Sequence, residues 1–233
     1  MSYDIGAIGK VEVVVDGRWT LEDLATFSSH LSETYGFVLS LSLDSEVKQF
    51  GAAYSRYPFA GGWSYYDFFR DLNLIIGPER QISVRKIQYA SLGVIELTGA
   101  TEPLRQALTI AFQLGVTGVA VQRLSAIVRS ISGTIRQVRI DWAAGTDAAT
   151  NAERNKVQLL RDASATLGAE LGFSEEQRQT LSRLTNDSPL LAVKLLLAVA
   201  RRALKAQRMH STGKVVKVDV VDRTTPVETE PPV

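Results

Sequence analysis

Asp67 and Asp71 stand one helical turn apart, the spacing that brings two carboxylates together on one face of a helix. Such a pair can pass a proton or grip a hard cation when a pocket and a third ligand accompany it. The sequence around it supplies neither, and Arg70 between the two acids points instead to a capped, solvated helix edge of paired charges. The two histidines, His30 and His210, lie far apart in the chain. His30 falls one position off an apolar ridge and His210 beside a run of basic residues, which suits surface or half-buried side chains better than a general base. There is no cysteine, which excludes disulfides, a thiolate nucleophile and cysteine-ligated zinc. Glycine-rich phosphate loops, the Gly-x-Ser-x-Gly elbow, the His-Glu-x-x-His pair and the dinucleotide fingerprint are all missing. No catalytic residue, metal ligand or cofactor is assigned on this reading, and the balance falls against an enzyme.

Two other groupings point to binding. Tyr54, Tyr57, Phe59, Trp63, Tyr65, Tyr66, Phe68 and Phe69 crowd into sixteen positions, punctuated by Pro58, Gly61 and Gly62. Aromatic rings carry large apolar area and a face suited to stacking, so this density marks either an irregular piece of core or a contact surface. Because glycine and proline make part of the stretch a loop, where binding residues concentrate, Tyr54, Tyr57, Phe59, Trp63 and Tyr66 are the candidate contact residues. Tyr54, Tyr57 and Trp63 are expected to be exposed, whereas Phe68 and Phe69 anchor the segment.

The second grouping is basic. Residues 188–218 carry 7 basic side chains and no acidic one, against 8 basic and 12 acidic in residues 1–100. Lys194, Arg201, Lys205 and Arg208 fall within about 60° of arc at 100° per residue, and Arg202, Lys214 and Lys217 lie near enough to enlarge the stripe. Phosphate backbone, an acidic protein or an anionic membrane surface would suit such a stripe. The competing reading is a solvated face whose cations pair with carboxylates elsewhere in the fold.

The elements that position these groups follow from periodicity. Val11 to Val15, ended by Asp16-Gly17, reads as a strand. Thr20 with Asp23 forms a capping pair for a helix from Leu21 to the early forties, which Gly36 is expected to kink or end. A short helix over residues 65–72, capped by Ser64, closes the aromatic stretch. Ile82 and Val84, then Ile87 and Tyr89, alternate on phases shifted by one, the mark of a bulge near Arg85-Lys86. Ser91-Leu92-Gly93 turns the chain into a returning strand through Val94, Ile95 and Leu97. Pro103 opens a long helix from Leu104 to about Ser132, which Gly133 stops or bends. Residues 134–142 lean to helix, residues 143–147 form a loop, and a polar helix runs from 148 to 171. Ser174 and Gln177 make a second capping box, and Ser188-Pro189 starts a helix that Gly213 ends before a final strand over 214–221.

These elements predict an α+β fold: a small antiparallel sheet covered by the first helix, then a long helical hairpin or bundle, then a short C-terminal strand. The boundaries are an α+β head over 1–100, a helical region over 101–212, a strand over 213–221 returning to the head, and a flexible tail over 222–233. Residues 106–122 are uncharged but only seventeen long, with three glutamines and two threonines, short of the roughly 20 apolar residues a membrane span needs. The start of the chain has no basic segment followed by an apolar one, so a cytoplasmic protein is expected. The expected function is a non-enzymatic interaction or assembly protein that associates with itself or a protein partner through the aromatic loop and helical arm. The alternatives are nucleic-acid binding through residues 194–217 and triggered membrane association through residues 104–131.

Overall fold

Val11, Val13 and Val15 are buried and alternate with the more open Glu12, Val14 and Asp16, and this period of two makes β1 (Ile8–Asp16) a central strand of a sheet with one wet and one dry face. The computed structural model describes residues 8–16, 18–43, 47–57, 62–112, 118–143 and 149–221. Among them are eight α-helices and one four-stranded antiparallel sheet, an α+β fold. The other strands are β2 (Ser83–Gln88), β3 (Leu92–Ala100) and β4 (Val215–Val221), in the order β2-β3-β1-β4.

Residues opposite one another across a ladder share a face. Val11 faces Leu97 and Val220, and Val13 faces Ile95 and Val218, so the inner face is an apolar layer. The outer face is polar, with Lys10 paired to Glu96 at 2.7 Å and Ser83 hydrogen-bonded to Thr98 at 2.8 Å. The register of β2 against β3 skips from Val84 to Lys86, which leaves Arg85 in a bulge. That extra residue puts Val84 and Ile87, three apart, on the same inner face, opposite Leu97 and Ile95.

α1 (Leu21–Ser42) is held at its start by a complete capping box between Thr20 and Asp23. Leu31, Tyr35 and Val38 bury its sheet-facing side. The Tyr35 hydroxyl accepts from the Ala100 amide at 3.0 Å and donates to the Arg80 carbonyl at 2.9 Å, pinning the helix to the end of β3. Gly36 does not end α1, which runs on to Ser42. A Cβ there would stand 2.5 Å from Asn73 Oδ1 and 3.2 Å from Ile76 Cδ1, so the glycine lets α3 (Gly62–Ile76) approach closely.

Three local expectations are corrected. The stretch after α1 holds an unforeseen helix, α2 (Val47–Arg56), and α3 begins at Gly62 and runs to Ile76, which places Ser64 inside its first turn rather than at its cap. The single helix expected from Leu104 to Ser132 is two, α4 (Thr101–Phe112) and α5 (Gly118–Ala143), and α5 passes through Gly133 without a break. α4 packs on α1, α8 and the sheet whereas α5 packs on α6 and α8, so their apolar faces serve different neighbours and one straight rod would not satisfy both. The remaining helices are α6 (Ala149–Glu170), α7 (Glu175–Leu184) and α8 (Pro189–Ser211). Ser174 caps α7 with the foreseen box, and Gly213 follows α8 at φ +77°, a backbone state that favours glycine. Residues 222–233, expected as a tail, lie outside the described residues.

One continuous core joins the sheet, α1 to α4 and the later helices, and α8 contributes Val193, Leu196, Val199 and Ala203 to its centre. β4 closes the far edge of the sheet against β1. Trp19 Nε1 donates to the Lys214 carbonyl at 2.9 Å, and His210 Nδ1 donates to the Val215 carbonyl at 2.7 Å, so both sides of the α8–β4 turn are tied down. No helix among the described residues is long and apolar enough to cross a membrane.

A candidate interaction surface

The aromatic block divides between core and surface. Tyr54 is fully buried, which overturns its expected exposure. It meets Phe68 edge to face at 5.0 Å and Phe37 at 6.2 Å, and Phe37 in turn meets Phe173 at 5.9 Å. Phe50, Phe68 and Phe69 are buried with it, so the rings seal α1, α2 and α3 together. The Ser40 hydroxyl donates to the Phe37 carbonyl at 2.8 Å, and it therefore accepts from the Tyr54 hydroxyl at 2.7 Å. Burial raises the Tyr54 hydroxyl far above the ordinary tyrosine range, the Ser40 bond opposing.

Tyr57 is half-buried, and its hydroxyl donates to Asp71. Arg56 reaches the same carboxylate at 2.7 Å and Arg70 at 3.2 Å. The Tyr57 hydrogen bond leads the effects that hold the Asp71 carboxyl below its usual range. Asp67 takes Arg70 at 2.9 Å within α3, so Asp71 alone fastens the end of α2 to α3 and the two carboxylates do not share a pocket. Tyr66 is exposed, with the Arg70 guanidinium 6.0 Å from its ring centre. Phe59 and the side chain of Trp63 lie outside the described residues. Of the five candidate contacts, Tyr66 reaches the surface fully and Tyr57 in part.

The basic stripe divides as well. Arg202 turns inward, paired with Glu33, bonded to the Ala198 carbonyl at 3.1 Å and stacked 4.0 Å from the Phe69 ring centre, so it belongs to the α1–α3–α8 junction and not to a solvent-facing patch. Lys214 pairs with Asp23, and Lys217 with Asp219 at 2.7 Å. Arg201, Lys205 and Arg208 remain exposed on α8, and Lys194 is half-buried further along it. His30 is half-buried near Arg202 and Lys205, and burial lowers its pKa below the ordinary histidine value.

A surface cleft of about 990 Å³ lies between α4 and α7 beside the end of α1, lined by both polar and apolar groups. Gln106 and Gln177 exchange amide hydrogen bonds of 2.9 and 2.7 Å across it, and Arg105 pairs with Glu102 at its rim. Its charges come in balanced signs, and no cluster of three potential metal ligands occurs among the described residues.

The prominent exposed apolar surface lies elsewhere. Val84 and Ile87 belong to the inner face, yet they are 52% and 54% exposed, beside Tyr89 at 72% and Leu21 at 86%. The helical layer ends short of β2, all six of whose residues are exposed. Between the first turn of α1 and the end of β2 a cavity of about 190 Å³ is lined by Trp19, Leu21, Leu24, Ile87, Tyr89 and Ile95 among others. That is below the roughly 300–1,000 Å³ of drug-sized ligand pockets, and it has room for one large apolar side chain. Family models, curated proteins and solved structures give no match to this chain. The apolar overhang is therefore read on its own chemistry.

The sequence places Val84 and Ile87 in a strand and names α1 as the cover of the sheet. The available signal was width: β2 is the edge strand, two strands from β1, with a single helix named as the cover.

Proposed function

We propose that the protein is a non-enzymatic interaction module that docks a protein partner on the apolar overhang formed by Val84, Ile87, Tyr89 and the exposed Leu21. The observation that carries this reading is the exposure of Val84 and Ile87 on the face that β1 and β3 bury through Val11, Val13, Ile95 and Leu97. An apolar patch of this kind, rimmed by polar residues, marks contact sites in soluble proteins. The cavity beside Trp19 and Leu24 provides the pocket that a single apolar anchor fills, the usual centre of an interface.

The edge of β2 itself is guarded. It is short, bulged at Arg85 and charged at Arg85 and Lys86, all devices that discourage strand addition. The partner therefore lies over the face, extending the helical layer across β2. Lys86 stands opposite Glu96 on the outer face, so the overhang itself is apolar and suits an apolar partner surface.

The test compares wild-type protein with Ile87→Asp/Tyr89→Ser, crosslinked in its native setting and read by mass spectrometry, with light scattering on both purified proteins. The expected result is a defined partner crosslinked at Leu21, Ile87 or Tyr89, lost in the variant while circular dichroism is unchanged. Identical crosslinks in both proteins would sink the proposal. A wild-type dimer that the variant abolishes would replace the partner with a second copy.

A further inference from the structure

Three cations on α8 stand apart from their neighbours. Arg201, Lys205 and Arg208 are exposed at i, i+4 and i+7, within about 60° of arc and along about 10 Å of helix axis. None of them forms an ion pair among the described residues, and Arg201 donates to the Ser132 hydroxyl at 3.2 Å. The basic residues around them are committed: Arg202 to Glu33, Lys214 to Asp23 and Lys217 to Asp219. The sequence places no acidic residue between 188 and 218 to neutralise the stripe locally. The opposite side of α8 is locked in the core through Leu195, Val199, Ala203 and Ala206, so the stripe is presented on a rigid support.

We propose that Arg201, Lys205 and Arg208 form a binding surface for the phosphate backbone of a nucleic acid. Guanidinium groups fork onto phosphate oxygens, and a lysine adds a point charge between them. Along one strand of a duplex, about 10 Å of axial rise covers roughly three phosphates at about 3.4 Å each, one for each cation. An acidic protein surface fits less well, because the centre of a stable protein interface is depleted of charge and anchored by apolar groups. No large exposed hydrophobic residue among those described lies on α8. A membrane fits less well for a related reason: an interfacial helix must insert its apolar face, and that face of α8 is occupied by the core. Phosphate contacts require charge alone. Phosphate contacts carry no base information, so binding through the stripe is independent of sequence.

The test is fluorescence anisotropy with a labelled DNA duplex of about 20 base pairs and a single strand of the same length, between about 50 and 200 mM KCl. Three contacts at a slope of about 0.9 each predict that affinity for the duplex falls about 40-fold across that range. Arg201→Gln/Lys205→Gln/Arg208→Gln should lose at least tenfold in affinity at the lower salt and most of the salt dependence. Arg85→Gln/Lys86→Gln/Lys217→Gln removes the same charge elsewhere and should bind as wild type. The substituted side chains are exposed, and a thermal melt of each variant checks that it is folded. No salt-dependent binding of either nucleic acid by wild type, or wild-type affinity in the stripe variant, overturns the proposal. Stripe-dependent binding to phosphatidylserine vesicles without binding to either nucleic acid overturns it in favour of a membrane.

Discussion

Adjacent cations on α8 carry the same formal charge and do opposite work. Arg202 is mostly buried, with its guanidinium shared among Glu33, the Ala198 carbonyl and the face of Phe69. Removing it strands the Glu33 carboxylate in a dry junction and leaves a gap against Phe69, so Arg202→Ala is expected to destabilise the fold by about 3 kcal/mol or more. Lys205→Ala, three residues along on the exposed side, should stay within about 0.5 kcal/mol of wild type. Urea denaturation of the two variants checks the contrast, and equal losses would show that Arg202 is a surface residue like its neighbour. The helical wheel separates these residues by angle but cannot pair them, because Glu33 lies 169 positions away in sequence. Tyr54 was misread for the same reason. Its local setting, beside glycine and proline, resembles a loop, while its burial depends on Ser40 and Phe37 from α1.

Elements whose signals close within four residues were the ones that could be read. The capping boxes at Thr20 and Ser174, the bulge at Arg85 and the stop at Gly213 are all local geometry, and each appears where its residues demand. What the sequence did not show is where one apolar surface ends and the next begins: α2 was missed, α4 and α5 were merged, and α1 was expected to cover a sheet wider than its reach. The α1 start also shows a local cap being strengthened from afar. Asp23 holds Thr20 and is itself held by Lys214, which follows α8. The Lys214 hydrogen bond first, then the Thr20 bonds, lower the Asp23 carboxyl from an ordinary 3.8 to about 2. A carboxyl depressed in the folded state contributes stability that is complete above its unfolded pKa and is lost as pH falls through the folded one. Asp23→Asn should therefore melt below wild type at about pH 5, and the gap should close between about pH 4 and pH 2. Melting curves at those pH values decide it. A gap that is unchanged at about pH 2 would mean that Asp23 acts through neutral hydrogen bonds and not through its charge.

At the scale of the whole molecule the order of elements hides how early and late segments depend on each other. β1 sits between β3 and β4, so one neighbour of the central strand comes from residues 92–100 and the other from 215–221. α1 is buried between α3, α4 and α8, and the last two belong to the stretch after residue 100. A boundary at residue 100, natural on charge and composition, would therefore cut through the core and not beside it. Residues 1–100 alone would keep three strands and α1 to α3. They would lose the α4 side chains Leu104, Leu108 and Ala111, the whole inward face of α8, and the ladder that covers Val11 and Val13. A unit that small already buries a modest fraction of its surface, and exposing a core face as well removes the gain that offsets chain entropy. The expected outcome is that a 1–100 fragment shows collapsed amide dispersion in a proton–nitrogen correlation spectrum and rapid proteolysis, while the full chain unfolds in one cooperative transition by circular dichroism. A dispersed, protease-resistant fragment would mean that α8 and β4 dock onto a head already formed. The basic stripe would then ride on an appendage, and the rigidity on which its phosphate contacts depend would have to come from docking rather than from a shared core.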